Sequence, residues 1–143
     1  MTYSFQNPSD DCLLTYLTSA KTIAVVGLSD RQDTAAYDVA KFMQAMDYQI
    51  IPVNPKLVGQ TILGECVYAS VKDIPFAVDI VDVFRRSEFL PDVAKDFLES
   101  QAKVFWAQLG LENQEAENLL RTGGRQDIVM NRCLKMEYLD LVL

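Results

Sequence analysis

The chain has 143 residues, half of them apolar and 23% charged, which predicts one globular domain and excludes extended disorder. Its net charge of −7 disfavours a nucleic-acid partner, because the whole surface would repel a phosphate backbone. Histidine is absent, which excludes Ser-His-Asp and Cys-His nucleophile systems, histidine-ligated zinc and a phosphohistidine on this chain.

The N-terminal segment, residues 1–11, is polar and lacks the basic start and apolar stretch of a signal peptide. No apolar run approaches the ~20 residues that span a bilayer, so no membrane partner is expected. Cys12, Cys66 and Cys133 are widely spaced, which favours free thiols in a reducing compartment over disulfides or a metal site. We therefore expect a cytoplasmic protein.

The first predicted element of the chain is a helix over Asp10–Ser19.

Five short apolar runs predict strands that are buried on both faces of a sheet. The runs are Thr22–Gly27, Gln49–Val53, Asp79–Phe84, Lys103–Gln108 and Asp127–Met130. Three stretches with apolar residues at helical spacing lie between the runs, and a last helix is predicted over Leu134–Leu141. Thr34 and Asn113 are suited to cap the first and third of these stretches. Pro91 lies near the start of the second, and Gly123-Gly124 ends the third.

This alternation predicts an α/β Rossmann-like three-layer fold, with a mostly parallel five-stranded sheet and helices on both faces, as a single domain over residues 1–143. In such a fold the ligand crevice lies beyond the carboxyl ends of the strands. Four loops are therefore expected to surround one site. They are Gly27–Thr34, Val53–Lys56, Phe84–Ser87 and Gln108–Gly110.

The first of these loops begins with the turn Val26-Gly27-Leu28-Ser29. Its glycine lets the backbone approach a ligand closely, and the following helix offers free N–H groups to a phosphate. The alternative is that Gly27 serves only the turn or the packing of the strand end.

The second strand ends in Val53-Asn54-Pro55-Lys56. NAD-dependent enzymes usually carry an acid near this point, which holds the ribose hydroxyls. A lysine instead suits a phosphorylated ribose, either the 3′-phosphate of coenzyme A (CoA) or the 2′-phosphate of NADP, because a carboxylate would repel either one. The alternative is a solvated surface lysine.

The third strand is followed by Phe84-Arg85-Arg86. Guanidinium groups suit phosphate, and an aromatic ring can stack on adenine. The alternative for at least one arginine is a structural ion pair with Asp82, Glu88 or Asp92, and Phe84 equally suits the core.

The ends of the last two strands supply further candidates. Gln108 is suited to orient an amide-containing ligand arm or to satisfy loop backbone groups, and Gly110 allows a second close approach. Cys133 lies between Arg132 and Lys135, whose charges would favour its thiolate. A single cysteine is most often inert, and with no histidine as base a reversible disulfide with a thiol ligand is favoured over catalysis.

Ordered motifs from about Lys21 to Tyr138 resemble the stand-alone CoA-binding protein family. They are Ala24-Val25-Val26-Gly27-Leu28-Ser29, Tyr37-Asp38-Val39-Ala40-Lys41, Ile50-Ile51-Pro52-Val53-Asn54-Pro55, Leu63-Gly64-Glu65, Val78-Asp79-Ile80-Val81-Asp82-Val83-Phe84-Arg85-Arg86-Ser87-Glu88 and Gln108-Leu109-Gly110. The domain of that family is similar to the CoA-binding N-terminal domain of the succinyl-CoA synthetase alpha subunit. The resemblance implies a Rossmann-like fold that binds CoA across the carboxyl edge of its sheet.

The resemblance also implies roles for individual residues. It puts Gly27 and Ser29 near the phosphates, residues 54–56 near the adenosine, and residues 83–85 at the neighbouring rim. The whole set of candidate cofactor-binding residues is Gly27, Leu28, Ser29, Thr34, Tyr37, Asn54, Pro55, Lys56, Val83, Phe84, Arg85, Gln108, Gly110 and Cys133. No catalytic and no metal-ligating residue is expected.

The sequence departs from the family pattern at Ala36, Asn131 and Leu134, where serine, aspartate and proline are common. The missing hydroxyl at Ala36 would weaken phosphate binding, and Asn131 puts an acid role at that position in doubt. The synthetase reaction also needs a phosphohistidine and a nucleotide-grasp subunit. A chain without histidine or a second domain cannot be that ligase by itself.

The expected function is the binding of CoA or an acyl-CoA by a non-catalytic carrier, sensor or sequestering protein, for which a homodimer is considered. Two alternatives stay open. One is an NADP-dependent oxidoreductase, which shares the lysine argument but lacks a recognisable proton donor. The other is a protein-interaction module with a vestigial nucleotide crevice.

Overall fold

Seven strands form two sheets in the computed structural model, which describes residues 3–143. They are β1 (Thr22–Val26), β2 (Gln49–Val53), β3 (Thr61–Ile62), β4 (Glu65–Cys66), β5 (Ile80–Val83), β6 (Val104–Ala107) and β7 (Ile128–Val129). Five of them form a parallel sheet in the order β2-β1-β5-β6-β7, and β3 and β4 form a separate hairpin. Met1 and Thr2, with which the polar N-terminal segment and the predicted domain begin, lie outside the described residues.

Five helices cover the two faces of the parallel sheet. They are α1 (Asp10–Ser19), α2 (Ala35–Ala45), α3 (Leu90–Leu98), α4 (Gln114–Thr122) and α5 (Leu134–Leu141). Apolar side chains of α1, α2 and α5 pack against one face, and those of α3 and α4 against the other. This three-layer α/β arrangement confirms the predicted Rossmann-like fold. The helices α1 and α5 have the bounds expected from the sequence.

Local signals at the helix ends explain where the crossover helices begin and end. The Thr34 hydroxyl accepts a hydrogen bond from the Tyr37 N–H at the start of α2, and the Asn113 side chain accepts one from Ala116 at the start of α4. Pro91 lies in the first turn of α3, where its missing N–H is not needed. Each cap had been expected from its residue type.

The structure differs from the sequence prediction in the strand ends and in one added hairpin. Gly27, Phe84 and Gln108 follow their strands instead of ending them, so these three residues belong to the loops at the carboxyl edge. The hairpin of β3 and β4 turns at Leu63 and Gly64, both of which have positive φ angles. Strands of two residues are too short to show a periodic pattern, which is why the hairpin was not predicted.

The outer strand β7 is contacted by the N-terminal segment. The Asn7 side-chain amide donates a hydrogen bond to the Met130 carbonyl oxygen (2.8 Å) and accepts one from the Met130 N–H (3.1 Å). Tyr3 adds a hydrogen bond from its hydroxyl to Glu117 of α4 (2.6 Å). The segment before α1 is thus attached to the side of the sheet formed by β7 and α4.

The strand order reverses between β1 and β5, because β2 lies on one side of β1 and β5 on the other. Ligand crevices of open parallel sheets form beyond the carboxyl ends of the strands at such a reversal. The loops after β1, β2 and β5 meet there. Among the helices of residues 3–143, none has the length and apolar character required to cross a bilayer.

Candidate functional site

A depression of about 280 Å³ lies at the point where the strand order reverses. Its lining residues come from the loops after β1, β2 and β5. They are Gly27, Asn54, Pro55, Lys56, Phe84 and Arg85. The structure therefore brings six of the candidate residues into one concave surface, which we call the switch-point depression.

The backbone conformation at position 27 and the atoms around it require a glycine at this point of the depression. Its φ angle is +89°, a value that residues with a side chain rarely adopt. A Cβ atom added to it would lie 2.5 Å from the Phe84 carbonyl oxygen, so the ends of β1 and β5 could not approach as they do. The packing interpretation of this glycine is therefore correct, and Gly27 also lines the depression.

Asn54 joins two walls of the depression. Its side-chain amide donates a hydrogen bond to the Leu28 carbonyl oxygen (3.0 Å), and its Oδ1 accepts one from the Lys56 N–H (3.0 Å). These bonds fix the loop after β2 against the loop after β1. Both functional groups of the Asn54 side chain are thus engaged within the protein.

Two cations at the depression have no carboxylate partner among residues 3–143. Lys56 is exposed and forms no ion pair, and the Arg85 guanidinium lies 4.8 Å from the centre of the Phe89 ring. Arg86 instead pairs with Glu88 at 3.7 Å, so one of the two arginines has the structural ion pair that the sequence suggested. Lys56 and Arg85 supply positive charge that an anion could neutralise.

A second concave surface continues from the depression toward β6 and α5. This groove of about 500 Å³ shares Phe84 and Arg85 with the switch-point depression. Its remaining lining residues are Ala35, Val39, Arg86, Gln108, Leu109, Leu111 and Cys133. Most of these side chains are apolar, so a ligand spanning both surfaces would be anionic at one end and less polar at the other.

Two buried polar side chains lie next to this groove. Asp82 of β5 is fully buried, and its Oδ1 accepts a hydrogen bond from Gln108 Nε2 at 2.7 Å. Asp82 Oδ2 has no hydrogen-bond partner among the described residues. Burial raises the pKa of Asp82 to about 8, and the hydrogen bond from Gln108 lowers it only in part.

The fold and this site can be compared with known proteins. The sequence pattern of a family described as "CoA binding domain" matches residues 21–139. The chain belongs to this CoA-binding family. The predicted family resemblance is therefore confirmed over most of the chain.

Relatives of this CoA-binding chain cover nearly its whole length. An uncharacterized protein from Bacillus subtilis (strain 168), YneT, is 49% identical over 133 residues, which are 93% of this chain and 96% of the relative. A solved structure from Thermus thermophilus, described as cell-free ID.343, is 35% identical with a TM-score of 0.89 and covers 94% of this chain and 99% of its own.

The same fold also occurs within a larger protein. A dinucleotide-forming acetyl-coenzyme A synthetase from Ca. Korarchaeum cryptofilum has a TM-score of 0.65 and 22% identity. The match covers 82% of this CoA-binding chain and 28% of the synthetase chain. At this identity the likeness shows the fold alone.

Six of the candidate residues line neither concave surface. Leu28 and Val83 are completely buried, so their side chains belong to the core and only their backbones lie near the rim. Gly110 turns the chain with a φ of +87° and donates its N–H to Asn131 Oδ1 at 2.7 Å. Strand burial accounts for the side chains of Leu28 and Val83, and turn geometry for Gly110; their expected contact with a cofactor stays a prediction.

The remaining three of the six have local structural partners. The Ser29 hydroxyl accepts a hydrogen bond from the Arg31 N–H (3.0 Å), and Thr34 caps α2. Tyr37 packs against the side of the core formed by α1, α2 and α5. These three side chains support the loop after β1 and the helix that follows, and they are not walls of either surface.

Cys133 does line the groove, but its neighbouring cations are engaged elsewhere. Arg132 pairs with Glu137 at 2.6 Å, and Lys135 pairs with Asp38 at 3.1 Å. The two charges expected to favour a thiolate are therefore each matched by a carboxylate. Within residues 3–143, no group of three or more cysteine, aspartate or glutamate residues is arranged to hold a metal ion.

Sequence reasoning missed the apolar part of the groove and the position of Asp82. Val39 is part of a helical motif in the sequence and nothing in the sequence distinguishes Leu111, and only the fold brings them beside Cys133. Asp82 had been considered as an ion-pair partner for an arginine, whereas it is buried beside Gln108. A usable signal existed, since Asp82 is the only carboxylate within the apolar run Ile80–Val83.

Proposed function

We propose that this protein binds CoA or an acyl-CoA as a non-catalytic carrier, sensor or sequestering protein in the cytoplasm. The observation on which the proposal depends is the position of Lys56 and Arg85, which line one depression at the strand-order reversal and have no carboxylate partner among residues 3–143. Membership of the CoA-binding family supports the same ligand class.

Charge and shape suggest how the ligand lies. The adenosine and its 3′-phosphate would occupy the switch-point depression, where Lys56 is the available cation on the loop after β2. Arg85 lies on both concave surfaces and suits the diphosphate. The less polar pantetheine arm would then follow the apolar groove toward Cys133. Phe84, which is half-buried and lines both surfaces, suits contact with the adenine or the arm.

A non-catalytic role is supported by the chemistry of the lining residues. The chain has no histidine, and both functional groups of the Asn54 side chain bond within the protein. Lys135 and Arg132, the cations nearest Cys133 in the sequence, are in ion pairs. General acid–base catalysis needs a positioned titratable group near a reacting atom. Gln108 does not titrate, Asp82 is fully buried, and Cys133 has neighbouring cations that are already in ion pairs, which favours binding over turnover.

Isothermal titration of the purified protein with CoA, dephospho-CoA and NADPH tests this proposal. We expect CoA to bind best and dephospho-CoA about tenfold more weakly, because the 3′-phosphate is lost from Lys56. Affinity for CoA should fall as salt is raised. A preference for NADPH would favour the oxidoreductase alternative, and binding of none of the three at millimolar ligand would favour the interaction module.

A charge-reversal variant gives this titration its internal control. Lys56→Glu should weaken CoA binding more than dephospho-CoA binding, because only CoA has the phosphate that the lysine would contact. Lys21→Glu makes the same charge change at the opposite edge of the sheet, where the Lys21 N–H bonds to Asp79. It should leave both affinities within about twofold of the wild type. Equal losses for the two variants would contradict the proposal.

A further inference from the structure

The three cysteines of the chain, which all lie within residues 3–143, differ in their position relative to the candidate site. Cys133 lines the apolar groove, whereas Cys12 of α1 and Cys66 of β4 line neither concave surface. All three thiols are free, and Cys66 is more exposed than Cys133. Cys133 is thus the thiol that a ligand in the groove would meet, although it is not the most accessible one.

The side chain of Cys133 does not stabilise the start of α5 by capping it. Cys133 is the N-cap residue of this helix, yet its side chain makes no capping hydrogen bond. Thr34 and Asn113 do make such a bond at the starts of α2 and α4. Cys133 packs against the core on one side and lines the groove on the other. The sulfur is therefore held in place at the groove without being engaged by the helix.

The groove beside Cys133 also contains a buried amide with an unsatisfied end. Gln108 is 5% exposed and lines the same groove. One end of its amide bonds to Asp82, and the other end has no hydrogen-bond partner among residues 3–143. Buried amides are usually satisfied, so this open end indicates that a polar molecule enters the groove next to Cys133, whichever end of the amide faces it.

We propose that Cys133 captures a disulfide of CoA by thiol–disulfide exchange, which attaches the pantetheine arm to the protein as a mixed disulfide. This inference rests on the proposed function, because phosphates bound by Lys56 and Arg85 would direct the arm along the groove to Cys133. It adds a further substrate class, the oxidised form of CoA, to a site proposed for CoA and acyl-CoA.

The exchange needs no oxidant other than the disulfide itself. The Cys133 thiolate attacks one sulfur of the CoA disulfide, so that a new S–S bond forms and the original S–S bond breaks. The other half leaves as a thiolate and takes up a proton, which balances the proton that Cys133 released. Cys133 is oxidised and one CoA is reduced to the free thiol. Attack by a second thiol reverses the step, so the capture is stoichiometric and reversible.

Binding of the reagent, and not the reactivity of the thiol, should select Cys133. Arg132 and Lys135 are each matched by a carboxylate, and Cys66 is the more exposed thiol. A small disulfide without a binding site would therefore react with Cys66 at least as fast as with Cys133. A bound CoA disulfide is instead held beside Cys133, and holding two reactants together raises the rate of their reaction.

The test incubates the reduced protein with CoA disulfide and follows the adduct at each cysteine by peptide mass spectrometry. We expect Cys133 to react at least about tenfold faster than Cys66. Adenosine 3′,5′-bisphosphate, which lacks the arm and its thiol, should compete for the switch-point depression. It should slow the reaction at Cys133 and leave that at Cys66 unchanged. Cys66→Ser should leave the adduct at Cys133 unchanged.

Two charge variants test whether the capture depends on the bound phosphates. Lys56→Glu should slow the reaction at Cys133 about tenfold, because the disulfide has the same 3′-phosphate as CoA. Lys21→Glu is the matched control at the amino edge of the sheet, and it should keep the rate within about twofold of the wild type. Equal rates for the two variants would contradict capture from the bound state.

The outcomes distinguish this inference from the proposed function. An adduct that forms at Cys66 as fast as at Cys133, or a rate at Cys133 that the bisphosphate does not change, would overturn the inference. If the wild type binds CoA in calorimetry but forms no adduct at Cys133, the inference alone fails. If the wild type binds no CoA, the proposed function fails and the capture at Cys133 fails with it.

Discussion

The polar groups at the two edges of the parallel sheet differ in whether they have partners within the protein. At the amino edge, Asp79 accepts hydrogen bonds from the Lys21 and Thr22 N–H groups (2.7 and 3.2 Å) and pairs with Lys103 at 3.3 Å. At the carboxyl edge, Lys56 has no ion-pair partner among residues 3–143. The polar groups of Asp79 and its neighbours bind one another, whereas Lys56 and Arg85 at the carboxyl edge have no carboxylate partner among residues 3–143.

This difference indicates a structural role for the polar groups at the amino edge and a ligand-binding role for the cations at the carboxyl edge. Both edges are made by the same alternation of strands and helices, so the fold alone does not explain why their polar groups differ. A carboxylate with several internal partners secures the junction of β1, β5 and β6. Cations that have no carboxylate partner within the described part of the chain, beside a glycine turn, instead provide a place for an anionic ligand to bind. Four variants test this interpretation, and two of them have matched controls.

The largest effect on stability is expected at Gly27, where the ends of β1 and β5 approach each other closely. Gly27→Ala should destabilise the fold by about 3–5 kcal/mol, because the new Cβ meets the Phe84 carbonyl oxygen and φ is positive. Gly59→Ala is the matched control, since its φ of +91° is nearly the same but nothing lies within 4 Å of the added atom. The Gly59→Ala substitution should lower the free energy of unfolding by about 1 kcal/mol. Urea unfolding measures both, and equal losses would contradict the contact.

The next effect on stability is expected at Asp82, which lies within β5. Because the pKa of Asp82 is raised from 3.8 to about 8, the folded protein keeps a proton that the unfolded chain releases. Stability should therefore fall as pH rises between these values, by on the order of 3 kcal/mol from about pH 5 to pH 8. Asp82→Asn should remove this slope in urea unfolding. An unchanged slope would show that the carboxyl is not held neutral.

The contribution of Asp79 to stability should change with pH in the opposite direction from that of Asp82. Partial burial alone would raise the pKa of Asp79, but the hydrogen bonds from Lys21 and Thr22 and the charge of Lys103 lower it. Its stabilisation is present above the unfolded value of 3.8 and is lost as pH falls below it. Asp79→Asn should accordingly destabilise the protein near neutral pH and reduce its loss of stability in acid.

The smallest effect is expected on the affinity for CoA, in which the two adjacent arginines should differ. Arg85→Ala should weaken CoA binding about tenfold, because this unpaired guanidinium lies on both concave surfaces. Arg86→Ala should change it less than about threefold, since Arg86 is already paired with Glu88. Titration calorimetry compares the two variants directly. A larger loss for Arg86 would reverse the assignment of the phosphate-binding arginine.

The fold was largely predictable because strong local signals agree with one another. Buried apolar runs defined the five parallel strands, and Thr34 and Asn113 marked helix starts through their capping side chains. The loops at the carboxyl edge followed from strand direction alone. For this reason Gly27 and Lys56 were expected at one site, and the structure brings them to one depression.

The details of the site were less predictable because they depend on tertiary contacts. Nothing local to Gln108 shows that its amide turns to Asp82, since the two residues meet only when β5 and β6 pair. Leu28 was chosen by its place in a loop motif, but a fully buried leucine contributes no side chain to a surface. Burial and pairing across strands decide these positions, and neither is visible in a single stretch of sequence.

The paired hydrogen bonds between Asn7 and Met130 have a consequence for self-assembly. An outermost strand exposes main-chain groups that can recruit a strand from another molecule, a common route to aggregation. A side-chain amide has the same donor and acceptor as a peptide unit, so Asn7 imitates one residue of an additional strand on the outer side of β7. The N-terminal segment thereby shields this border of the sheet, and intermolecular strand addition there would first have to displace it.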